Sequence, residues 1–164
     1  MEVRSVSMER TLSEGDRVVL DSCGPSLWYA DRKRSCAPNL GQIVVFRSIP
    51  NDSLIVKRVI ALGGDTIRIK EGSVLVNGAA LSEPYVQHSQ AYIPSDDSWP
   101  TDNRAQIRQV VVPAGCYFVL GDNRDESVDS RVLGPIRPEM IVGVIKLRIP
   151  RHQLSGHVRL VGLE

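Results

Sequence analysis

Apolar and polar residues along this chain alternate in short runs that are rich in β-branched side chains. Glycine, proline, asparagine and aspartate interrupt the runs, and no stretch sustains the 3.6-residue apolar period of an amphipathic helix. The pattern predicts an all-β, or at least β-dominated, fold whose strands are mostly antiparallel. The predicted strands cover residues 17–20, 42–47, 54–60, 66–70, 73–76, 109–112, 117–120 and 141–149.

Turn signals indicate how these strands are connected. Glu71-Gly72 and Asn77-Gly78 each stand between two predicted strands at hairpin spacing, and Asn-Gly is the strongest two-residue hairpin signal. Residues 126–132 contain no helix breaker and predict one short helical turn. Residues 87–108 are polar and contain two prolines, so we expect a long loop or excursion there.

Composition and charge narrow the range of partners. Twenty basic residues against nineteen acidic ones leave a formal net charge of +1, and no polybasic run is present. Neither nucleic acid binding nor attraction to anionic lipid is therefore indicated. The longest apolar runs, such as residues 43–46, are far shorter than the roughly 20 residues that a membrane-spanning helix requires.

The cysteines and the acidic loop do not predict a metal site. Cys23, Cys36 and Cys116 are an odd count without a C-x-x-C spacing, so we expect no zinc and no other cofactor. A Cys23–Cys36 disulfide and three free thiols both remain open. The acidic run that begins at Asp122 resembles a calcium loop in composition, but its sixth position is Ser127 where glycine is required.

A serine near the start of the chain is the first candidate for chemistry. Ser7 precedes a Gly15-Asp16 turn and a strand, which is also a common context for an inert loop serine. The chain has no Gly-x-Ser-x-Gly elbow and no acid–histidine pair at a recognisable spacing. If this serine is a nucleophile, its base is not expected to be histidine.

Lys57 is the second candidate because of its neighbours in the predicted strand. Strand alternation places Ile55, Lys57 and Val59 on one face and Arg58 on the other. A free lysine has a pKa of about 10.4 and cannot accept a proton at neutral pH, whereas burial lowers that pKa by several units. Lys57 is therefore either a general base or an edge-strand lysine whose amine lies in water.

Four segments of the chain resemble the conserved boxes of bacterial type I signal peptidases and follow one another in the same order. The resemblance covers residues 5 to 150 and implies the fold shared by signal peptidases and LexA-type repressors. Within it, we expect residues 1–64 and 113–150 to form the catalytic core, 65–112 an inserted β subdomain and 151–164 a C-terminal tail. The matching residues are Ser7-Met8 with Thr11-Leu12 and Gly15-Asp16, the strand 41–46, Lys57-Arg58-Val59-Ile60 with Leu62 and Gly64-Asp65, and 121–131 with Gly134.

The resemblance also implies roles for the residues that match. Ser7 would be the nucleophile and Lys57 its general base. The hydroxyl of Ser5 and the backbone N–H of Ser7 would form the oxyanion hole.

A supporting set is implied in the same way. Ser127 would orient the Lys57 amine. Asp129, Arg131 and Arg58 would form an ionic scaffold in which Asp129 lies between the two arginines.

The implied activity is that of a serine endopeptidase that removes N-terminal signal peptides after small residues, in Ala-x-Ala patterns. It needs no cofactor and no metal, and its partners would be the signal peptides of exported preproteins and a membrane surface. The resemblance further implies a monomer at the plasma membrane with its catalytic domain on the extracytoplasmic face. Members carry a membrane helix shortly before the serine, whereas six residues precede Ser7 here, so we expect either a helix encoded upstream of Met1 or trimmed from the chain, or a soluble member of the family. An in-frame apolar stretch of roughly 20 codons upstream of Met1 would decide between them.

Three positions depart from the family pattern, and two other functions stay open. Arg10 and Gly63 stand where the family usually has proline, and Gln42 stands where it usually has aspartate. One alternative is a catalytically impaired or soluble signal-peptidase-like module that acts in binding or assembly. The other is a self-cleaving repressor-type peptidase, which also uses a Ser–Lys dyad but holds its cleavage site well upstream of the serine.

Overall fold

A computed structural model describes residues 1–22, 37–49, 52–70, 72–86, 107–153 and 161–162. Cys23, Cys36 and most of the predicted loop 87–108 lie outside these residues. The described strands are β1 Arg17–Ser22, β2 Ile43–Arg47, β3 Leu54–Leu62, β4 Thr66–Lys70, β5 Ser73–Val76, β6 Ala79–Ala80, β7 Ile107–Val111, β8 Tyr117–Leu120, β9 Ile141–Ile149 and β10 Val161–Gly162. One helical turn, α1, covers Ser130–Leu133, and short 3₁₀ turns cover Val6–Met8, Pro138–Met140 and Arg151–Gln153.

The strands form two antiparallel sheets. The large sheet has the order β1-β9-β2-β3-β8, with β10 also paired to β9, and the small sheet has the order β6-β5-β4-β7. The predicted hairpins are present, since β4 pairs with β5 and β5 with β6. The helical turn begins at Ser130 rather than at residue 126, because Asp129 caps it with its side chain.

Strand alternation explains why the centre of the large sheet is buried on both faces. In β2, Ile43 and Val45 pack into one hydrophobic cluster, and Val44 and Phe46 pack into another on the opposite face. The first cluster also contains Met8, from the 3₁₀ turn that carries the candidate serine. The turn is thereby anchored to the core of the large sheet.

The two sheets fall on either side of the predicted domain boundaries. The small sheet lies entirely within residues 65–112, and the large sheet lies outside them. A third hydrophobic cluster joins the sheets and combines four residues from each side, namely Ile60, Ala61, Phe118 and Leu120 with Ile67, Ile69, Val74 and Val112. The division into a core and an insertion stays a prediction. The pairing of β10 with β9 adds part of the predicted tail to the large sheet.

Within the described ranges, no helix is both long and apolar enough to cross a membrane.

Candidate active site

The candidate nucleophile Ser7 lies in the 3₁₀ turn Val6–Met8. Ser5 precedes this turn in an extended conformation, and its side-chain oxygen accepts a hydrogen bond from the Ser7 N–H at 3.2 Å. The side chain of Met8 is buried on the other side of the turn. Capping at one end and burial at the other fix the turn, and Ser7 is itself only 5% exposed.

The ammonium group of Lys57 meets the Ser7 hydroxyl directly. Its Nζ donates to Ser7 Oγ at 2.6 Å and to the Val56 carbonyl oxygen at 2.8 Å. Burial lowers the pKa of Lys57 from 10.5 to about 8; Asp129 and Asp122 oppose this shift. Lys57 is 3% exposed, so the amine lies in the protein and not in water. A lysine with this pKa is partly neutral near pH 8 and can accept a proton.

The two predicted oxyanion-hole donors lie side by side. The Ser7 N–H and the Ser5 hydroxyl are hydrogen-bonded to each other, with Ser5 Oγ as the acceptor. The amide is therefore occupied in this structure, whereas the Ser5 hydroxyl proton is free to point elsewhere. The role of this pair in catalysis stays a prediction.

The partner of Arg58 differs from the expected one. Arg58 does not meet Asp129; its Nε donates to Asp122 Oδ1 at 2.9 Å and its Nη2 to Asp122 Oδ2 at 2.6 Å. The reason is the register of the sheet. Leu120 lies opposite Arg58 in the pairing of β8 with β3, and Asp122 follows two residues later along the chain.

Asp129 instead binds residues of its own loop, 121–131. Its carboxylate accepts from Arg131 Nε at 2.9 Å, from the Gly121 N–H at 3.0 Å and from Ser127 Oγ at 2.7 Å. Burial disfavours the charged carboxylate, but the hydrogen bond and the charge of Arg131, helped by Gly121 and Ser127, lower the pKa of Asp129 below its ordinary value. The predicted Asp129–Arg131 pair is present and buried.

No hydrogen bond between Ser127 and Lys57 is among those that the structure describes for these two residues. The Ser127 hydroxyl donates to Asp129, and the hydrogen bonds described for Lys57 go to Ser7 and to the carbonyl of Val56. The acceptor that orients the amine is thus a backbone oxygen of its own strand.

Asn123 and Gly121 are close to the nucleophile, although the sequence pattern gave them no role. The Asn123 N–H donates to the Ser7 carbonyl at 3.1 Å, and its Nδ2 donates to the Val6 carbonyl at 3.2 Å. A Cβ on Gly121 would lie 2.6 Å from the Ser7 carbonyl oxygen and 2.2 Å from Ser127 Oγ. Only glycine allows this approach. The sequence feature that pointed to this loop as part of the site was its density of Asp and Asn residues.

Arg10 has a backbone conformation that proline cannot adopt. Its φ is +76°, in the left-handed region, whereas proline is fixed near −65°. Its Nη1 donates to the Val86 carbonyl at 3.1 Å. Where the family usually has proline, this chain therefore differs in the conformation of the turn as well as in the side chain.

A cleft of about 610 Å³ opens next to the serine and the lysine. Its lining includes Ser5, Ser7, Lys57 and the first three residues of β3, 54–56. In the register that the structure describes, β8 pairs with β3 only from Arg58 onward, so residues 54–57 have no strand on that side.

Among the described residues, no group of His, Cys, Asp and Glu side chains could hold a metal ion.

Comparisons with known proteins identify the family. The model for signal peptidase, peptidase S26, matches residues 1–150. The chain is 37% identical over 147 residues to signal peptidase I V of Bacillus subtilis (strain 168), covering 87% of this chain and 80% of that protein. It is 35% identical over 151 residues to signal peptidase IB of Staphylococcus aureus (strain Mu50), covering 89% of this chain and 74% of that protein.

A solved structure agrees with these matches. Signal peptidase I from Enterococcus faecalis V583 is similar with a TM-score of 0.51 and 32% sequence identity, covering 66% of this chain and 97% of that chain. The β-dominated, mostly antiparallel fold and the family resemblance predicted from the sequence are thereby confirmed. The chain belongs to the S26 family of signal peptidases, and it is a peptide-bond hydrolase of the signal peptidase I class.

Proposed function

We propose that this chain removes N-terminal signal peptides from exported preproteins, with Ser7 as nucleophile and Lys57 as general base. One observation carries the proposal: the Nζ of a buried lysine lies 2.6 Å from the hydroxyl of a buried serine. Burial of a lysine amine costs free energy, and groups whose pKa is strongly shifted by burial are concentrated at functional sites. The relatives that are named signal peptidases supply the substrate class.

The proposed chemistry uses one proton acceptor twice. Neutral Lys57 Nζ accepts the Ser7 proton while Oγ bonds to the scissile carbonyl carbon, and the ammonium group then donates this proton to the departing amine. Water then attacks the ester carbon while neutral Nζ accepts its proton, and the ammonium group returns that proton to Ser7 Oγ as the bond between Oγ and the acyl carbon breaks. The Val56 carbonyl keeps the amine aimed at Ser7 throughout.

The negative oxygen of the tetrahedral intermediate would be stabilised beside Ser5. For this, the Ser7 N–H exchanges its present acceptor, Ser5 Oγ, for the substrate oxygen. The Ser5 hydroxyl then donates to the same oxygen. Two donors already placed next to each other need little rearrangement, which is the basis of their contribution to rate.

The substrate is proposed to be an extended peptide with small residues at the first and third positions before the cut. Residues 54–56 line the cleft and lack a strand partner toward β8, which suits backbone pairing with such a peptide. Shallow apolar pockets would then exclude larger side chains. We further propose that the chain works as a monomer at the extracytoplasmic face of the plasma membrane, where preproteins emerge.

Peptide cleavage with matched control variants tests the proposal. Ser7→Ala and Lys57→Arg should abolish cleavage of an Ala-x-Ala peptide, because arginine keeps its proton at any usable pH. Ser48→Ala removes a serine that is equally buried at 5%, and Lys146→Arg changes an exposed lysine; both should cleave normally. An active Lys57→Arg variant would remove lysine from the role of base.

Substrate preference is tested separately with peptides that differ at one position. Replacing the alanine before the cut by leucine should lower kcat/KM by at least about tenfold, the range expected for overfilling a small pocket. Equal rates for the two peptides would refute the pocket assignment but leave the dyad untouched.

A further inference from the structure

A short segment that follows β6 contacts three arginines from three different parts of the site. We call residues 83–86 the brace. Each arginine belongs to a segment already described: the nucleophile turn, the lysine strand β3 or the loop 121–131. The contacts are an ion pair between Arg124 and Glu83, the Arg58 guanidinium carbon 4.0 Å from the centre of the Tyr85 ring, and Arg10 Nη1 donating to the Val86 carbonyl at 3.1 Å.

The brace is held together by a hydrogen bond of its own. The Tyr85 hydroxyl donates to Glu83 Oε1 at 3.2 Å, and the same oxygen accepts from Arg124. The side chains of Arg124 and Glu83 are 5% and 10% exposed, so water screens their attraction only weakly. Burial, with the charge of Glu83, raises the pKa of Tyr85, so its hydroxyl remains a donor across the working pH range.

Through Arg58 the brace reaches the catalytic lysine. Arg58 directly follows Lys57 in β3, and its guanidinium is fixed on three sides: by Asp122, by the Gly41 carbonyl at 2.8 Å and by the face of Tyr85. A cation over an aromatic face is attracted by the ring, and the contact is stronger where water is excluded.

Through Arg124 the brace reaches the other side of the site. Arg124 Nε donates to the Gly121 carbonyl at 3.1 Å, and the Arg124 carbonyl accepts from Arg131 at 2.6 Å. Gly121 is the residue that lies against the Ser7 carbonyl. One segment thus contacts the strand that carries the base and the loop that supports the nucleophile.

We propose that Tyr85 and Glu83 are positioning residues that keep Lys57 within hydrogen-bonding distance of Ser7 by clamping Arg58 and Arg124. The proposal rests on the proposed function of the dyad. Neither residue lines the cleft, so their effect is on the geometry of the dyad and not on substrate binding. Loosening the clamp lets water reach the Lys57 amine, which reduces the desolvation that lowers its pKa.

Three variants and one control distinguish positioning from general stability. Tyr85→Phe keeps the ring over Arg58, whereas Tyr85→Leu removes it. Glu83→Gln keeps the shape but not the charge, and it serves as the second test if Tyr85→Leu fails to fold. Tyr117→Leu is the control, because Tyr117 is another partly buried tyrosine that packs in a different cluster.

Two measurements are made on each variant: kcat and KM for peptide cleavage, and the pKa of Lys57 by NMR of protein labelled at its four lysines. The charged groups that act on Lys57, namely Asp129, Arg131 and Asp122, are unchanged in all of them. We expect Tyr85→Leu to lower kcat at least tenfold with KM within twofold, and to raise the pKa of Lys57. Glu83→Gln should change both quantities in the same direction by less. Tyr85→Phe keeps the ring over Arg58 and loses only the hydrogen bond to Glu83, so its effect should also be smaller than that of Tyr85→Leu.

Two outcomes would overturn the proposal. In the first, Tyr85→Leu or, if it does not fold, Glu83→Gln leaves kcat and the pKa of Lys57 unchanged. In the second, Tyr117→Leu changes both as much as Tyr85→Leu does. If the wild-type protein cuts no signal peptide, the proposed function fails, and the NMR titration still decides whether the brace sets the environment of Lys57.

Discussion

Arg58 and Asp122 form a two-point ion pair in which the two donor–acceptor distances are 2.9 and 2.6 Å. Thr11 adds to the pair, because its hydroxyl donates to the same carboxylate at 2.6 Å. The nucleophile segment, the lysine strand and the loop 121–131 therefore meet at one carboxylate. Their relative positions depend on it.

Removal of this carboxylate should destabilise the protein strongly. The side chains of Arg58 and Asp122 are 9% and 1% exposed, and loss of one partner from a buried pair typically costs about 3–5 kcal/mol. Asp122→Ala should lower the free energy of unfolding by that amount in urea denaturation. Asp52→Ala is the control, because it breaks an exposed pair with Arg47 that is worth about 0–1 kcal/mol. Equal losses for the two variants would contradict the assignment.

The pH dependence of cleavage should report the lysine. With the pKa of Lys57 near 8, kcat/KM should rise with pH and level off above that value, since only the neutral amine accepts a proton. Below this pKa, on the rising limb of the pH profile, kcat/KM should fall about tenfold for each pH unit. A profile that is flat from about pH 5 to 9 would exclude this base.

The same pKa predicts how stability changes with pH. Between pH 8 and 10.5 the folded lysine is mostly neutral and the unfolded one is mostly protonated. Because the unfolded state binds more protons in this window, the free energy of unfolding should rise with pH there, by about 3 kcal/mol in total. Lys57→Met should lack this rise. Denaturation of both proteins at several pH values measures the difference, and parallel curves would contradict the lowered pKa.

Neutralising Asp129 should shift the pH at which kcat/KM rises. The charge of Asp129 raises the pKa of Lys57, so Asp129→Asn should shift the limb of kcat/KM to lower pH. Stability should fall as well, because Arg131 loses its charged partner in a buried position. The pH profile checks the first effect and urea denaturation the second. A limb that moves to higher pH would contradict the electrostatic role of Asp129.

Asn123 should contribute to the rate without contacting the substrate. Asn123→Ala keeps the backbone donor to Ser7 but loses the side-chain donor to Val6. We expect kcat to fall roughly tenfold, because a small displacement of a nucleophile has effects of that order or larger, while KM changes little. Asn39→Ala, at an exposed position, is the control. If both variants behave like wild type, the nucleophile turn is held by other contacts.

Arg10 offers a test of backbone strain. Glycine adopts a positive φ without cost, whereas Arg and Ala pay about 1–2 kcal/mol there. Arg10→Gly should therefore be more stable than Arg10→Ala by about 1 kcal/mol, since both variants lack the side-chain bond to Val86. Arg10→Pro should be the least stable of the three. Thermal unfolding ranks them, and equal stability of the glycine and alanine variants would place Arg10 outside the left-handed region.

The elements that could be predicted are those determined by neighbouring residues. The strands 66–70, 73–76, 117–120 and 141–149 have the predicted bounds, because β-branched alternation and turn residues act locally. The two-residue strand β6 was missed, since Ala79-Ala80 has no strand preference of its own. It forms only because the Asn-Gly turn returns the chain to β5.

Partners that depend on register or on caps could not be predicted. Arg58 pairs with Asp122 because Leu120 of β8 lies opposite Arg58 in the sheet. The Asp129 side chain instead caps α1. The direct support of Ser7 comes from the backbone N–H of Asn123, and the density of Asp and Asn in the loop does not show which residue supplies it. The two residues of the dyad were predicted from the family resemblance, and their roles await the cleavage experiments.

The hydrophobic cluster shared by the two sheets bears on how the protein unfolds. Ile60 and Phe118 of the large sheet are covered by Ile67 and Val112 from the other side of the predicted boundary. Excision of residues 65–112 would expose these side chains to water. We therefore expect the two sheets to melt in a single cooperative transition, in which case the small sheet would be a thermodynamic part of the core and not a detachable module.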